Sequence, residues 1–157
     1  MRIGFGYDIH RLKTGEDLIL GGEKIDSEKG LEGHSDADVL IHALIDSLLG
    51  ASSLGDIGVY FPDSDPQWRG ISSLILLEKI SALLAEKRWA ILNVDLTLVL
   101  EKPKLFGYYP GMKKNIARVL KMSEDNINIK ASTNEGIELI GKEEGIAAFS
   151  VALLEKR

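Results

Sequence analysis

The sequence contains no cysteine. That absence removes disulfides, thiolate zinc sites, cysteine-bound iron–sulfur clusters and cysteine nucleophiles together. Any metal must therefore be held by imidazole and oxygen. Long hydrophobic runs are missing as well: the richest stretch, Val39 to Leu54, carries His42 and Asp46 inside it and falls short of the ~18 apolar residues of a membrane span. A transmembrane role is excluded. No long basic block occurs and the net charge is −5, which argues against a sequence-independent grip on nucleic-acid phosphates. An anion bound here needs local cations or backbone amides. The segment Met1 to Asp8 has neither a long apolar core nor a small-residue cleavage site, so the expected address is cytoplasmic. Histidine is scarce: the three present, His10, His34 and His42, all fall in the first third of the chain.

What is there describes one folded unit. The 157 residues, 45% hydrophobic and 27% charged, match the size and composition of a single globular domain, 1–157, with one core. Arg2 to His10 reads as a strand, whose two-residue period places Asp8 and His10 on one face and Ile9 on the other. Gly21-Gly22 and Lys29-Gly30 punctuate a hairpin or irregular excursion. A helix is expected from Ser35, with Ser35 as N-cap, Asp36 and Asp38 in its first turn, apolar residues through Leu49 and Gly50 as the stop. Asp38, His42 and Asp46, spaced by four, then form a polar stripe on an otherwise apolar helix. Ala51 to Gly70 reads as a loop. Ser72 to Arg88 is an amphipathic helix, Ile91 to Leu100 an alternating strand, Pro110 to about Met122 a helix, Ile127 to Ala131 a strand and Ile146 to Leu154 the last strand. This order predicts an α+β fold: a mixed β-sheet with helices packed on one face.

Asp8, His10 and His42 are the sharpest chemical group, because three nitrogen and oxygen ligands leave one tetrahedral position open, as catalytic zinc sites do. A plainer reading of the same residues makes His10 a strand-end polar group and His42 a core histidine bonded to Asp38 or Asp46. Those two carboxylates would alternatively orient the free ring nitrogen of His42. His34 precedes the expected helix, where unpaired amides and a positive dipole suit phosphate. Asp56, Asp63 and Asp65 are turn-formers or ligand contacts, and Glu135 is a divalent-cation ligand or a solvated glutamate. No dinucleotide fingerprint, P-loop or nucleophile elbow is present. A two-histidine, one-carboxylate iron oxygenase, a metal-dependent phosphohydrolase and a non-catalytic binding protein stapled by its metal remain open.

The run Gly4-Phe5-Gly6-Tyr7-Asp8-Ile9-His10, then Gly33-His34-Ser35-Asp36-Ala37-Asp38 with His42, Gly55-Asp56-Ile57-Gly58, Phe61-Pro62-Asp63-Ser64-Asp65-Pro66, Lys130-Ala131-Ser132-Thr133-Asn134-Glu135 and Gly141-Lys142-Glu143-Glu144-Gly145-Ile146 resembles the 2-C-methyl-D-erythritol 2,4-cyclodiphosphate synthase family over essentially the whole chain. The resemblance implies a lyase of the non-mevalonate isoprenoid pathway. It would cyclise 4-diphosphocytidyl-2-C-methyl-D-erythritol 2-phosphate and release CMP. It further implies zinc on Asp8, His10 and His42, magnesium or manganese near Glu135, and His34 and Thr133 as the catalytic pair that steadies the transition state. Ser35, Asp56, Ile57, Gly58, Phe61, Pro62, Asp63, Ser64 and Asp65 match contacts to the methylerythritol and ribose hydroxyls. Leu100, Glu101, Lys102, Pro103, Lys104, Leu105 and Phe106 match the loop that cradles cytosine through its backbone, with Ser132 and Asn134 flanking Thr133. A homotrimer with active sites between subunits is implied, without nucleic-acid or membrane partners. Leu139, where relatives often have an aromatic residue, and Lys142, where arginine is usual, lie near the trimer's central channel, which is reported to accept isoprenoid diphosphates. No cytidylyltransferase domain, fused in some relatives, is expected ahead of the Asp8 motif.

Overall fold

The computed structural model describes residues 1–157. Strand β1 runs Arg2–Thr14, longer than the sequence pattern predicts, and is followed by β2 (Leu18–Leu20), β3 (Glu23–Ile25) and β4 (Lys29–Leu31). Helix α1 (Val39–Ser52), α2 (Ile57–Tyr60) and α3 (Ser73–Glu86) come next. Then follow β5 (Trp89–Val99), α4 (Tyr109–Leu120), β6 (Ile127–Ser132), α5 (Glu138–Gly141) and β7 (Gly145–Lys156). The main sheet has the order β4-β1-β7-β5-β6, antiparallel except for the parallel pair β5–β6, which needs the α4 crossover. Gly21 and Gly22, both at positive φ, turn the β2–β3 hairpin. Lys29 and Gly30 instead belong to β4, paired with β1. The expected architecture, a mixed sheet with helices on one face, is observed.

Helix α1 is apolar around almost its whole circumference, with Leu40, Ile41, Leu44, Ile45, Leu48 and Leu49 fully buried, as expected of a helix sandwiched between other elements. One side lies on β1 and β7 and the other beneath α3. The close approach to β1 is made by Gly4 and Gly6: a Cβ at either would stand 1.9 Å from a backbone oxygen of α1, Ser47 or Ala43. The alternation that puts these glycines against the helix carries on along β1, so Asp8 and His10 emerge on that same side. Burial of each large aliphatic side chain contributes about 1.5–3 kcal/mol, so α1 is the central element of the core. The opposite face of β1 presents Ile3, Phe5, Tyr7 and Ile9, which are 72%, 63%, 47% and 42% exposed. No helix is long and apolar enough to cross a membrane.

The helix starts later than the sequence predicts. Ser35 is not the N-cap; Asp38 is, and its Oδ1 accepts the Ile41 N–H. The reason is tertiary: the same buried carboxylate also accepts the Gly21 and Gly22 amides, at 3.0 and 2.7 Å, tying the β2–β3 turn to the helix. Gly50 does not stop α1, which continues to Ser52 and ends on Ser53 in the left-handed conformation. Ala51 to Gly70 is not all loop: Asp56 caps α2, and Asp65 caps a short 3₁₀ turn at Pro66–Trp68.

Candidate active site

Asp8 and His10 leave β1 on the face covered by α1, and His42 comes down from the first turns of that helix to meet them. The Asp8 Oδ2 atom lies 2.8 Å from His10 Nε2 and 3.1 Å from His42 Nδ1, and the two imidazole nitrogens are 3.2 Å apart. Ligands held about 2.0–2.1 Å from one tetrahedral ion are separated from each other by roughly 3.3 Å, close to these spacings. The donor set, two imidazoles and a carboxylate, suits zinc in type and in number.

The second nitrogen of each ring is also committed. His10 Nδ1 donates to the Glu32 carbonyl at 2.9 Å, which turns Nε2 toward the other two donors. His42 Nε2 meets Ser73 Oγ at 2.9 Å and Ser35 Oγ at 3.0 Å. The flanking carboxylates do not orient His42. Asp38 is spent on the hairpin amides, and Asp46 accepts the Ile57 amide at 2.8 Å. Burial works against the Asp8 carboxylate, but hydrogen bonds and charge from both histidines outweigh it and hold the pKa at about 2. Burial also opposes charge on His10, yet Asp8 prevails and raises its pKa above the ordinary value. Burial raises the Asp46 pKa, with Asp56 and Asp8 adding to the effect against the Ile57 amide.

These residues line a cavity of about 530 Å³. His34, Ser35, Ile57, Gly58, Phe61, Pro62 and Asp63 join Asp8, His10 and His42 on its wall, with Asp46, Trp68 and Leu76. Phe61 and Trp68, edge-on at 5.0 Å, form its apolar side. Asp8, Glu32, Asp46, Asp63 and the three histidines line the space and no lysine or arginine does, although the Glu32 carboxylate is paired with Lys13. An anion entering this cavity therefore requires a bound cation to offset the carboxylates. His34 does not sit at the α1 N-terminus, which begins five residues later; its Nε2 donates to the Asp65 carbonyl at 3.2 Å. Asp56 and Asp65 spend carboxylate oxygens on caps, accepting from Val59 and Gln67 N–H, and Ser64 is exposed beside them.

The remaining candidates lie elsewhere in the chain. Register links Asp8 to Ala148, Ala148 to Leu98 and Leu98 to Ala131, three strand spacings or roughly 14 Å across the sheet. Thr133 and Glu135 follow at that distant edge, where Thr133 Oγ1 donates to Glu135 Oε1 at 2.7 Å. Glu101 accepts the Asn134 and Gly136 amides of their loop, and the Asn134 side chain donates to the Ile137 carbonyl. Leu100 and Leu105 point into the core while Lys102, Lys104 and Phe106 are exposed. Pro103 follows Lys102 through a cis bond, and the Ser132 hydroxyl turns to the Thr133 carbonyl. Leu139 and Lys142 line a different cavity, of about 480 Å³, with Ile9 to Leu12 and Lys29. The sequence marks Asp36 only as a first-turn residue of the expected helix and assigns no role to Ser73 or Trp68. Ser72-Ser73 reads only as a helix start, and their partners are remote in the chain.

The YgbB family model matches residues 1–155. The chain belongs to the YgbB family. A relative from Dehalococcoides mccartyi, 2-C-methyl-D-erythritol 2,4-cyclodiphosphate synthase, is 55% identical over 157 residues, covering 100% of both chains. The Plasmodium falciparum IspF solved as a CDP complex superposes with a TM-score of 0.87 at 36% identity, over 99% of this chain and 96% of that one. The bifunctional IspDF from Campylobacter jejuni superposes at TM-score 0.95 and 37% identity; this YgbB-family chain is matched over 99% of its length but spans 42% of that larger chain.

Proposed function

We infer that this YgbB-family chain is a phosphorus–oxygen lyase that cyclises 4-diphosphocytidyl-2-C-methyl-D-erythritol 2-phosphate to 2-C-methyl-D-erythritol 2,4-cyclodiphosphate and releases CMP, in isoprenoid precursor biosynthesis. The observation that carries this reading is the convergence of Asp8, His10 and His42 in a cavity that no lysine or arginine lines, in a chain 55% identical end to end to an enzyme of that name.

The substrate brings its own nucleophile. An oxygen of its 2-phosphate attacks the β-phosphorus, the bond from that phosphorus to the bridging oxygen breaks, and CMP leaves with that oxygen on the α-phosphate. No side chain has to form a covalent intermediate, which agrees with a chain lacking cysteine and a nucleophile elbow. Two anionic groups must instead be folded together, and this is a task of positioning and charge compensation. Asp8, His10 and His42 would hold zinc, and Glu135 magnesium or manganese; when bound, such ions polarise phosphate oxygens and offset their charge. His34, on the cavity wall, and Thr133, beside Glu135, steady the charge that develops on phosphate. Asp56, Asp63 and the Phe61–Pro62 segment take the methylerythritol and ribose hydroxyls, with Phe61 and Trp68 excluding water on one side. The backbone from Leu100 to Phe106, flanked by Ser132 and Asn134, takes the cytosine.

The separation of Thr133 and Glu135 from Asp8 supports an active site shared between copies of the chain; that the assembly is a cytoplasmic homotrimer is what the family resemblance implies. The exposed β1 face, Ile3, Phe5, Tyr7 and Ile9, supplies an apolar contact surface for that assembly. The test is phosphorus nuclear magnetic resonance with the cytidyl substrate and added zinc and magnesium. A cyclic diphosphate appearing in step with CMP is expected. Inorganic phosphate as product would make the chain a phosphohydrolase, and an unchanged substrate would defeat the reading.

A further inference from the structure

Ser73 opens α3 and its side chain is wholly buried. Asp36 holds it at two points, Oδ2 accepting the Ser73 N–H at 3.0 Å and Oδ1 accepting the Ser73 hydroxyl. A serine hydroxyl has one proton to give. With that proton committed to a carboxylate, Ser73 Oγ faces His42 Nε2, 2.9 Å away, only as an acceptor. Ser35 Oγ stands 3.0 Å from the same nitrogen and 3.3 Å from Ser73 Oγ. It receives the Ala37 N–H at 3.3 Å, so its own proton is free to go to Ser73, which leaves it an acceptor toward His42 as well.

We propose that Ser73, oriented by Asp36, is a positioning residue that fixes His42 as the Nε2–H tautomer and leaves the Nδ1 lone pair turned on Asp8 and His10. The direction of proton donation runs from His42 Nε2 to Ser73 Oγ and from Ser73 Oγ to Asp36. A metal-binding imidazole needs its ligating nitrogen bare, and the partner of the other nitrogen decides which tautomer prevails. The relay opposes Asp8, whose Oδ2 lies 3.1 Å from Nδ1 and by itself draws the proton to the nitrogen that must be free. It also closes His42 to rotation, because the ring is held from both edges. The acceptor is not the neighbouring carboxylate of the α1 stripe but a serine on a different helix, so the seating of α3 on α1 is coupled to metal capture.

This proposal rests on the reading of Asp8, His10 and His42 as a metal site, and two independent readouts separate them. The first needs no metal: nitrogen-15 spectra of the histidines at pH 8, with three rings to assign, report which His42 nitrogen carries the proton. Metal-free wild-type protein is expected as Nε2–H. Ser73→Ala, and Asp36→Asn, whose amide can donate to Ser73 and turn that hydroxyl's proton onto His42, are expected to move the proton to Nδ1. The second is zinc affinity by chelator competition, expected to fall about 10- to 100-fold in both variants and to return in Ser73→Thr, which keeps the hydroxyl. Ser73→Ala leaves the Asp36 to Ser73 backbone bond intact, so it serves if Asp36→Asn fails to fold. A wild-type His42 protonated at Nδ1, zinc affinity within twofold of wild type in Ser73→Ala, or a Ser73→Thr as weak as Ser73→Ala would overturn the relay. Wild-type protein that binds no zinc would instead defeat the metal reading, and the tautomer would still decide the relay.

Discussion

Gly6 packs on the Ala43 carbonyl so closely that a Cβ at position 6 would stand 1.9 Å from its oxygen. Ala43 is the residue after His42, and Gly6 lies two residues before Asp8 on the same face of β1, so this contact sets the height at which the histidine meets the strand. Gly6→Ala must push α1 away from β1. Overpacking of this kind costs about 1–3 kcal/mol, and the upper end is expected because the clash is with backbone. Urea unfolding should show a lower midpoint, and zinc affinity should fall with it. A variant of wild-type stability and wild-type zinc affinity would disprove the coupling.

The exposed side of β1 carries a second prediction. Tyr7 lies 5.1 Å from Phe149 between ring centroids, in the middle of the apolar strip that the proposed trimer covers. Tyr7→Asp introduces three charges into a symmetric contact and should yield monomers by sedimentation velocity. Because Asp8, His10 and His42 all come from one chain, that monomer should still bind zinc. CMP release should be lost, since Thr133 and Glu135 would no longer reach the site. An active monomer would contradict the shared site.

Metal capture at this site must displace a proton. Burial opposes the charged form of His10, but Asp8 outweighs it and raises the pKa above the ordinary histidine value, so the metal-free site holds a proton on His10 to higher pH than a free imidazole does. A zinc ion needs Nε2 deprotonated. Apparent zinc affinity should therefore rise with pH through a window above the ordinary histidine value and flatten once His10 is neutral. Calorimetry in buffers of different ionisation enthalpy should register proton release on zinc binding that diminishes as pH rises through this window. Binding that is independent of pH across this window would show that His10 does not ligate.

The features legible in the sequence are those that depend on local periodicity. The two-residue alternation of β1 places Asp8 and His10 together, and the apolar length of α1 marks it as buried. Its first residue was not legible, because Ser35, Asp36 and Asp38 are all acceptable caps and the choice is made by Gly21 and Gly22, which are distant in the chain. Ser73 was hidden for the same reason: its role depends on Asp36 and His42, brought together only by the packing of α3 on α1. The gap between Thr133 and Asp8 follows from the insertion of β7 and β5 between β1 and β6, a strand order that periodicity does not encode.

Glu101 falls between these cases. It stands in the segment matched to cytosine contacts, yet its Oε1 accepts the Asn134 amide at 2.8 Å and the Gly136 amide at 3.4 Å. These amides flank Glu135, which adopts a left-handed conformation at φ 52°, unfavourable for a non-glycine residue unless neighbours hold it. The carboxylate thus fixes the loop that presents Thr133 and Glu135, and hydrogen bonds to a charged group contribute about 1.5–3 kcal/mol. Glu101→Ala should free the loop and reduce kcat about 10- to 100-fold, with a higher magnesium requirement. Zinc affinity should stay unchanged, because no zinc donor touches this loop. Glu101→Gln, which retains one acceptor oxygen, should recover part of the loss. If Glu101→Ala weakened only KM for the cytidyl substrate and left both kcat and the magnesium requirement intact, the residue would be a nucleotide contact and not a brace.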